Sequence, residues 1–323
     1  MNVSRRIRGA FLALLFLAAA AFPAAAADKV SMAIGFIPNI QFAPLYVGME
    51  KGFFAEENLE LEVDYGFGVD VFSLLSLGRI DVGLSDSDQL IVSGTEQLGL
   101  KAVFQYYQDY PVSIVALADE ISEPADLEGK TIGVPETYGT SYIGLQAFLA
   151  EHGLKDRVTE QRIGYTQISS LLNDRVNAAV TFYNNEPVQL RLRGHDIVEW
   201  EVREFSDIVG ASIISSDKII RERRDVMKRF VRAMRKSVAY TVENQEEAVE
   251  LALPYLGDVE ESQVEFIRQS LAATAELFRT GGDRPYGSFD VDRYRASIRA
   301  LERLGLIEET YGAGRILATD LEQ

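Results

Sequence analysis

The chain has 323 residues, 47% of them hydrophobic, and its 49 acidic against 32 basic residues leave a formal charge of −17. That balance disfavours nucleic acid and anionic membrane surfaces as partners. The length suggests two domains of ordinary size. There is no cysteine, which excludes a disulfide framework, thiolate chemistry and a lipid-modified cysteine.

In chain order, Arg5, Arg6 and Arg8 precede an apolar run from Ala10 to Phe22, and Ala25-Ala26-Ala27 offers small residues before Asp28. This is the three-part pattern of a cleaved secretory signal over residues 1–27. The run is shorter than the ~20 residues a membrane span needs. Its removal takes away three arginines and no acid, which moves the formal charge from −17 to −20. A free periplasmic protein is expected.

The stretch from Val30 to Val63 predicts a strand, a loop at Gly35–Phe42, a helix from Ala43-Pro44 and a second strand. Proline suits the first helical turn, where its missing N–H costs nothing. About one hundred residues later, Ile132 to Thr166 repeats the order of strand, polar-aromatic loop, helix, turn and strand, and Val71–Asp88 has its echo in Ile168–Asn185. The two units predict an α/β fold with two βαβ-based lobes. Ligands of such sheets bind outside the carboxyl ends of the strands. Strands are expected near Lys101–Tyr106 and Val112–Leu117, a first crossover at Glu120–Lys130, and a return strand at Ile208–Ser215. The expected division is residues 28–118 for the first part of lobe one, 119–207 for lobe two, and 208–323 for the return to lobe one, with a hinge of two strands.

After Lys218 the pattern turns helical, with Val226, Phe230, Met234 and Val238 four apart. The basic residues between Arg221 and Lys236 read as a solvated face in preference to a docking patch. A further amphipathic helix is expected at Asp292–Leu304, stopped by Gly305.

The segments PLYVGMEKGFFAEENLELEV (44–63), LLSLGRIDVGLSD (74–86), PADLEGKTIGVP (124–135) and MKRFVRAMRKSVAYTVENQEEAVEL (227–251) together resemble the periplasmic solute-binding proteins of ABC importers. The group is the one that includes sulfonate, nitrate and thiamine-pyrimidine binders. The resemblance implies the type II binding-protein fold, closing on a ligand about a hinge, with an ABC permease and its ATPase as partners. The loops GFIPNIQFAP (35–44), DYGF (64–67), SYIG (141–144) and YNNEP (183–187) resemble the riboflavin-binding subgroup. Pyrimidine binders usually carry Trp-x-Pro-Asn-Thr, and here Phe36 and Ile40 stand at the Trp and Thr positions.

The strand-end loops contain no Lys or Arg, but they do contain Asp64, Asp70, Asp86, Asp88, Asp109, Glu136 and Glu186. Binders of strong anions are expected to present a cation, so a neutral or cationic ligand is favoured. The aromatics Phe36, Phe42, Tyr65, Phe67, Tyr106, Tyr107, Tyr138, Tyr142, Tyr165 and Tyr183 suit a flat heterocycle, since stacked rings add about 0.5–1.5 kcal/mol per pair beyond burial. Side-chain amides suit ring carbonyls, ring nitrogens and hydroxyls.

The expected ligand contacts are Phe36, Asn39, Gln41, Phe42 and Tyr65 from the first unit, with Ser85 and Asp86 at the end of the third strand and Tyr107 beyond it. Ser141, Tyr142, Tyr183, Asn184 and Glu186 are expected from the second. Phe53, Phe54, Phe72 and Phe148 read as core.

An enzyme of pyrimidine synthesis on the same fold is the competing class, and it is disfavoured. The related synthases use a cysteine-rich motif and a histidine, whereas this chain has two histidines, His152 and His195, in settings that read as surface or capping. There is no Gly-x-Ser-x-Gly and no glycine-rich phosphate loop, and Ser215-x-x-Lys218 lacks its companion motifs. No cofactor, no metal and no nucleic acid are expected, and a monomer is. The riboflavin reading stands first, an aminopyrimidine second, and a sulfonate or nitrate ligand third. A sensor role without transport is a further alternative.

Overall fold

The computed structural model describes residues 26–66, 69–95, 98–279, 281 and 283–321. The expected signal segment therefore lies outside the described residues except for Ala26 and Ala27, and so does Phe67.

The first unit runs β1 (Asp28–Ile34), α1 (Ala43–Glu50), α2 (Phe53–Glu56), β2 (Leu59–Tyr65), α3 (Val71–Ser76), β3 (Val82–Asp86), α4 (Ser87–Thr95) and β4 (Leu100–Gln105). After β5 (Val112–Leu117), the second runs β6 (Thr131–Val134), α5 (Gly139–Glu151), β7 (Thr159–Arg162), α6 (Gln167–Leu172), β8 (Ala178–Phe182), α7 (Glu186–Leu192) and β9 (Ile197–Glu201). The chain then continues through β10 (Ala211–Ser216), α8 (Asp217–Glu222), α9 (Arg224–Glu243), α10 (Gln245–Ala252), α11 (Val264–Leu277) and α12 (Val291–Arg303).

Two five-stranded sheets result, in the orders β2-β1-β3-β10-β4 and β7-β6-β8-β5-β9. In each, the first three strands are parallel, and the fourth lies antiparallel between its neighbours. The repeat is thus a repeat of topology, and it is completed by exchange. β5 follows the first unit in sequence but sits in the second sheet, while β10 follows the second unit but sits in the first.

The expected first crossover at Glu120–Lys130 is therefore corrected: the chain crosses at 106–111, before β5, and residues 112–118 do not belong to the first sheet. The reason is long-range pairing, since β5 runs between β8 and β9 of the second sheet. Val112 to Ala116 are all buried, as befits a central strand covered on both faces. β10 is the expected return strand. The two crossing segments touch at Gly210, where an added Cβ would lie 2.2 Å from Asp109 O and 2.6 Å from Tyr107 O.

Each core grows from the apolar strand runs. Met32, Ile34, Val82 and Leu84 pack with the stripe Val226, Phe230, Met234 and Val238 of α9 in the first lobe. The basic face of α9 is largely exposed, as expected, and it is laced with ion pairs. Arg229 reaches Asp28 (2.6 Å) and Asp225 (2.8 Å), Arg232 reaches Glu57 (2.6 Å), Arg224 reaches Asp320 (2.6 Å), and Lys236 pairs with Glu56. Asp28, Glu56 and Glu57 of the first unit fold back onto it, and Asp320 reaches it from the C-terminal end. α12 begins at Asp290, whose carboxylate caps Arg293 N at 3.0 Å, and Gly305 follows its end with a left-handed φ of 73°.

α11 makes a third connection between the lobes. It packs in the first-lobe core through Ile267, Leu271 and Leu277, yet Ser270 Oγ donates to Asn184 O (2.6 Å) and Tyr183 Oη donates to Ala273 O (2.6 Å).

Candidate ligand-binding cleft

Carboxyl ends of strands from both sheets meet at a cavity of about 480 Å³, within the range of roughly 300–1,000 Å³ usual for small-molecule sites. The first lobe lines it with Phe36, Gln41, Phe42, Val69, Asp70, Phe72, Ser85, Asp86, Gln89 and Tyr107. The second lobe contributes Glu136, Tyr138, Gly139, Thr140, Ser141, Tyr165, Gln167, Phe182, Asn185 and Glu186. Among the described residues, no Lys, Arg or His lines the cavity. Five helices, α3 to α7, start at or beside the wall, so their positive dipole ends sit against its carboxyls.

The first-lobe wall is held from behind. Asn39 accepts from Gln41 N at 3.0 Å, fixing the turn that carries Gln41 and Phe42. Gln41 O accepts from Tyr106 Oη (2.9 Å) and Tyr107 Oη (3.4 Å), and Gln41 Nε2 donates across the cleft to Asn184 Oδ1 (2.8 Å). Tyr107 packs against Tyr106 and Phe278 with centroids 4.9 and 5.5 Å away, and burial raises its phenol well above the ordinary value.

The second-lobe wall is different. Tyr138 and Tyr165 line the cavity while 71% and 66% exposed. Their loops are braced by Arg162, whose Nη2 donates to Glu136 Oε1 at 2.7 Å. This ion pair holds the Glu136 carboxyl below the usual range.

Among the described residues, no ion pair reaches the remaining acids of the wall, Asp70, Asp86 and Glu186. Burial raises Asp86, and it raises Glu186 although Phe182 N donates to that carboxylate at 3.0 Å. Asp70 is held low by its N-cap bonds to Ser73 N (3.0 Å) and Ser73 Oγ (2.6 Å).

Of the expected contacts, Phe36, Gln41, Phe42, Ser85, Asp86, Tyr107, Ser141 and Glu186 line the cavity. The other five do not, each for a local reason. Asn39 spends its side chain on the Gln41 turn. Tyr65 packs into the first-lobe core beside Phe42, centroids 6.3 Å apart. Tyr142 is turned into the second-lobe core because α5 starts at Gly139, so that Gly139 to Ser141 face the cavity instead. Tyr183 bonds Ala273 and lies under the Arg203 guanidinium at 4.5 Å. Asn184 is fully buried between Gln41 and Thr274.

Phe72, expected in the core, lines the cavity, and Phe182, which carried no local signal, does too. Tyr138, Tyr165, Gln89 and Gln167 were legible only as members of the strand-end loops. Phe53, Phe54 and Phe148 are core. His152 ends α5 packed between Phe148 (4.7 Å) and Phe205 (5.4 Å), and burial lowers its imidazole. Neither histidine lines the cavity.

Residues 39–248 match the family model described as NMT1/THI5 like. The chain belongs to the NMT1/THI5-like family. Within it, the chain is 30% identical to a riboflavin-binding protein, RibY, of Chloroflexus aurantiacus over 80% of this chain and 76% of that protein. It is 27% identical to a formylaminopyrimidine-binding protein of Halalkalibacterium halodurans over 95% and 96%. Other family relatives are named as 4-amino-5-hydroxymethyl-2-methylpyrimidine phosphate synthases. The fold matches the periplasmic aliphatic sulphonate binding protein SsuA of Escherichia coli, with a TM-score of 0.71 at 11% identity, covering 90% of this chain and 92% of that one. The fold is that of the periplasmic solute-binding proteins of ABC importers. Among the described residues, no helix is long and apolar enough to cross a membrane.

Proposed function

We propose that this chain is the periplasmic binding component of an ABC importer that captures a neutral or cationic aromatic heterocycle, first of all riboflavin, and delivers it as a monomer to its permease. The single observation that carries the reading is the composition of the cavity wall. Aromatic side chains come from both lobes, amides and carboxyls are interspersed, and among the described residues cationic side chains are absent from the lining.

A flat ring entering between Phe36 of one lobe and Tyr138 and Tyr165 of the other buries apolar surface that is exposed in the tyrosines. Gln41, Gln89, Gln167 and Asn185 offer donors and acceptors for ring carbonyls and ring nitrogens. Asp86 and Glu186, raised by burial, accept from hydroxyl or amino groups when ionised and donate when protonated. Contacts from both lobes favour the closed arrangement, which is the form a permease would recognise. Capture without chemistry fits the position of both histidines away from the cavity.

A second reading is supported by the formylaminopyrimidine-binding relative, which aligns over 95% of the chain. Fluorescence titration of riboflavin with the ligand-stripped mature protein tests the first reading. Saturable one-to-one quenching is expected. No quenching at high protein concentration, together with heat release on adding an aminopyrimidine, would replace riboflavin by the second ligand class.

A further inference from the structure

Behind the cavity wall, Asp88 stands in the first turn of α4 and is fully buried. It joins three parts of the molecule. Its Oδ1 accepts from Thr140 Oγ1 at 3.0 Å, on the first turn of α5 in the second lobe. Its Oδ2 lies 2.5 Å from Tyr110 Oη, on the crossing segment. Tyr110 Oη in turn lies 2.7 Å from Thr140 O. Three close oxygen–oxygen contacts thus form a chain, and each needs a proton between its atoms.

The phenol and the threonine hydroxyl supply one proton each. With Asp88 ionised, Tyr110 donates to the carboxylate and then presents lone pairs to the Thr140 carbonyl at 2.7 Å. A proton on Asp88 Oδ2 donates to Tyr110, Tyr110 donates to Thr140 O, and Thr140 donates to Asp88 Oδ1, so that every contact is satisfied. We infer that Asp88 carries this third proton and that the Asp88–Tyr110–Thr140 chain is a proton-dependent latch that positions the second-lobe wall at Gly139–Ser141.

Thr140 Oγ1 and Gln89 N (2.5 Å) both donate to Asp88 Oδ1 and favour the ionised form, which leaves Oδ2 as the place for the proton, while burial and the Asp86 charge act against ionisation. The titratable groups facing Asp88 are Asp86 at the end of β3 and Tyr110, and burial with the Asp86 charge pushes Asp88 up to about 7. Tyr107 faces Asp86. From α12, Tyr294 bonds Ser87 at 3.0 Å, and Arg293 is spent on Asp109 at 2.5 Å. Arg203 stands 3.8 Å from the same Asp109. None of the ion pairs among the described residues includes Asp88.

The sign follows from a raised carboxyl. Between the ordinary aspartate range and the raised value, the folded protein holds a proton that the unfolded chain has released, so the latch is complete at low pH and is lost as pH rises through that value. Asp88→Asn imitates the protonated acid: its amide donates to Tyr110 and its carbonyl accepts from Thr140.

The test is thermal unfolding of the wild type and D88N from pH 5 to 8.5, a readout that needs no ligand. The wild type is expected to lose at least about 3 °C relative to D88N across the range. A difference that does not vary with pH would overturn the latch. Should D88N not fold, carbon NMR titration of the side-chain carboxyls in the wild type and D86N decides instead. An aspartate carboxyl titrating above the ordinary range in D86N, where Asp86 is gone, supports the latch, and all aspartates of D86N titrating in the ordinary range overturns it.

The consequence for capture rests on the proposed ligand reading. Riboflavin affinity of the wild type is expected to weaken about two- to tenfold more than that of D88N from pH 5.5 to 8, as for loss of one hydrogen bond, since the cavity carboxyls Asp86 and Glu186 titrate alike in both. A failed titration with riboflavin would count against the ligand and leave the melting comparison intact.

Discussion

The two lobes share one strand order and one plan of loops, yet they present opposite kinds of wall to the cavity. The first-lobe wall is set in place before any ligand arrives: Gln41 is held by Asn39, Tyr106 and Asn184, and Phe42 and Tyr107 are buried. The second-lobe wall carries Tyr138 and Tyr165 largely in solvent, joined by one exposed ion pair. Equivalent topology therefore does not give equivalent duty. One lobe supplies a prearranged floor, and the other supplies a cover whose surface is buried only by what lies beneath it.

The comparison is broken most severely at the point where the lobes join. Gly210→Ala drives a methyl into the backbone of Asp109 and Tyr107, and overpacking of this kind is expected to cost about 1–3 kcal/mol. Denaturant unfolding measures it, with Gly312→Ala, which meets nothing within 4 Å, as the control. Next come the tyrosines. Tyr165→Ala and Tyr138→Ala are each expected to weaken ligand binding about three- to tenfold by loss of stacking, with little change in melting temperature because both rings are exposed. A large loss of stability would instead make them part of the lobe's packing. The smallest effect is expected from Glu136→Gln, because exposed ion pairs contribute about 0–1 kcal/mol. Its melting temperature should hold while ligand affinity shifts by no more than a few-fold, and a collapse of affinity would promote Glu136 from brace to ligand contact.

Much of the architecture was legible in local pattern. The βαβ units, the α9 stripe of Val226, Phe230, Met234 and Val238, and the α12 helix stopped at Gly305 follow from periodicity and capping chemistry, which act within a few residues. The character of the cavity was legible in the same way, because strand-end loops converge in this fold class and their composition can be read directly: aromatic, amide-bearing, acidic and without cations. Ser141 and Glu186, expected from the same loops, line the cavity.

What only the tertiary structure decided depends on contacts far apart in sequence. Val112–Leu117 reads as a buried strand, but its choice of the second sheet depends on pairing with Ala178–Phe182 and Ile197–Glu201, which no local signal encodes. Tyr183 and Asn184 have the composition of ligand contacts, and they are withdrawn from the cavity because Ala273 and Thr274, some ninety residues on, bond them first. Phe72 has the spacing of a core residue, and it packs against the core while also lining the cleft. Short-range periodicity determined which segments form and which side chains they offer. Long-range pairing of strands and the docking of α11 determined which of those side chains remain free to meet a ligand.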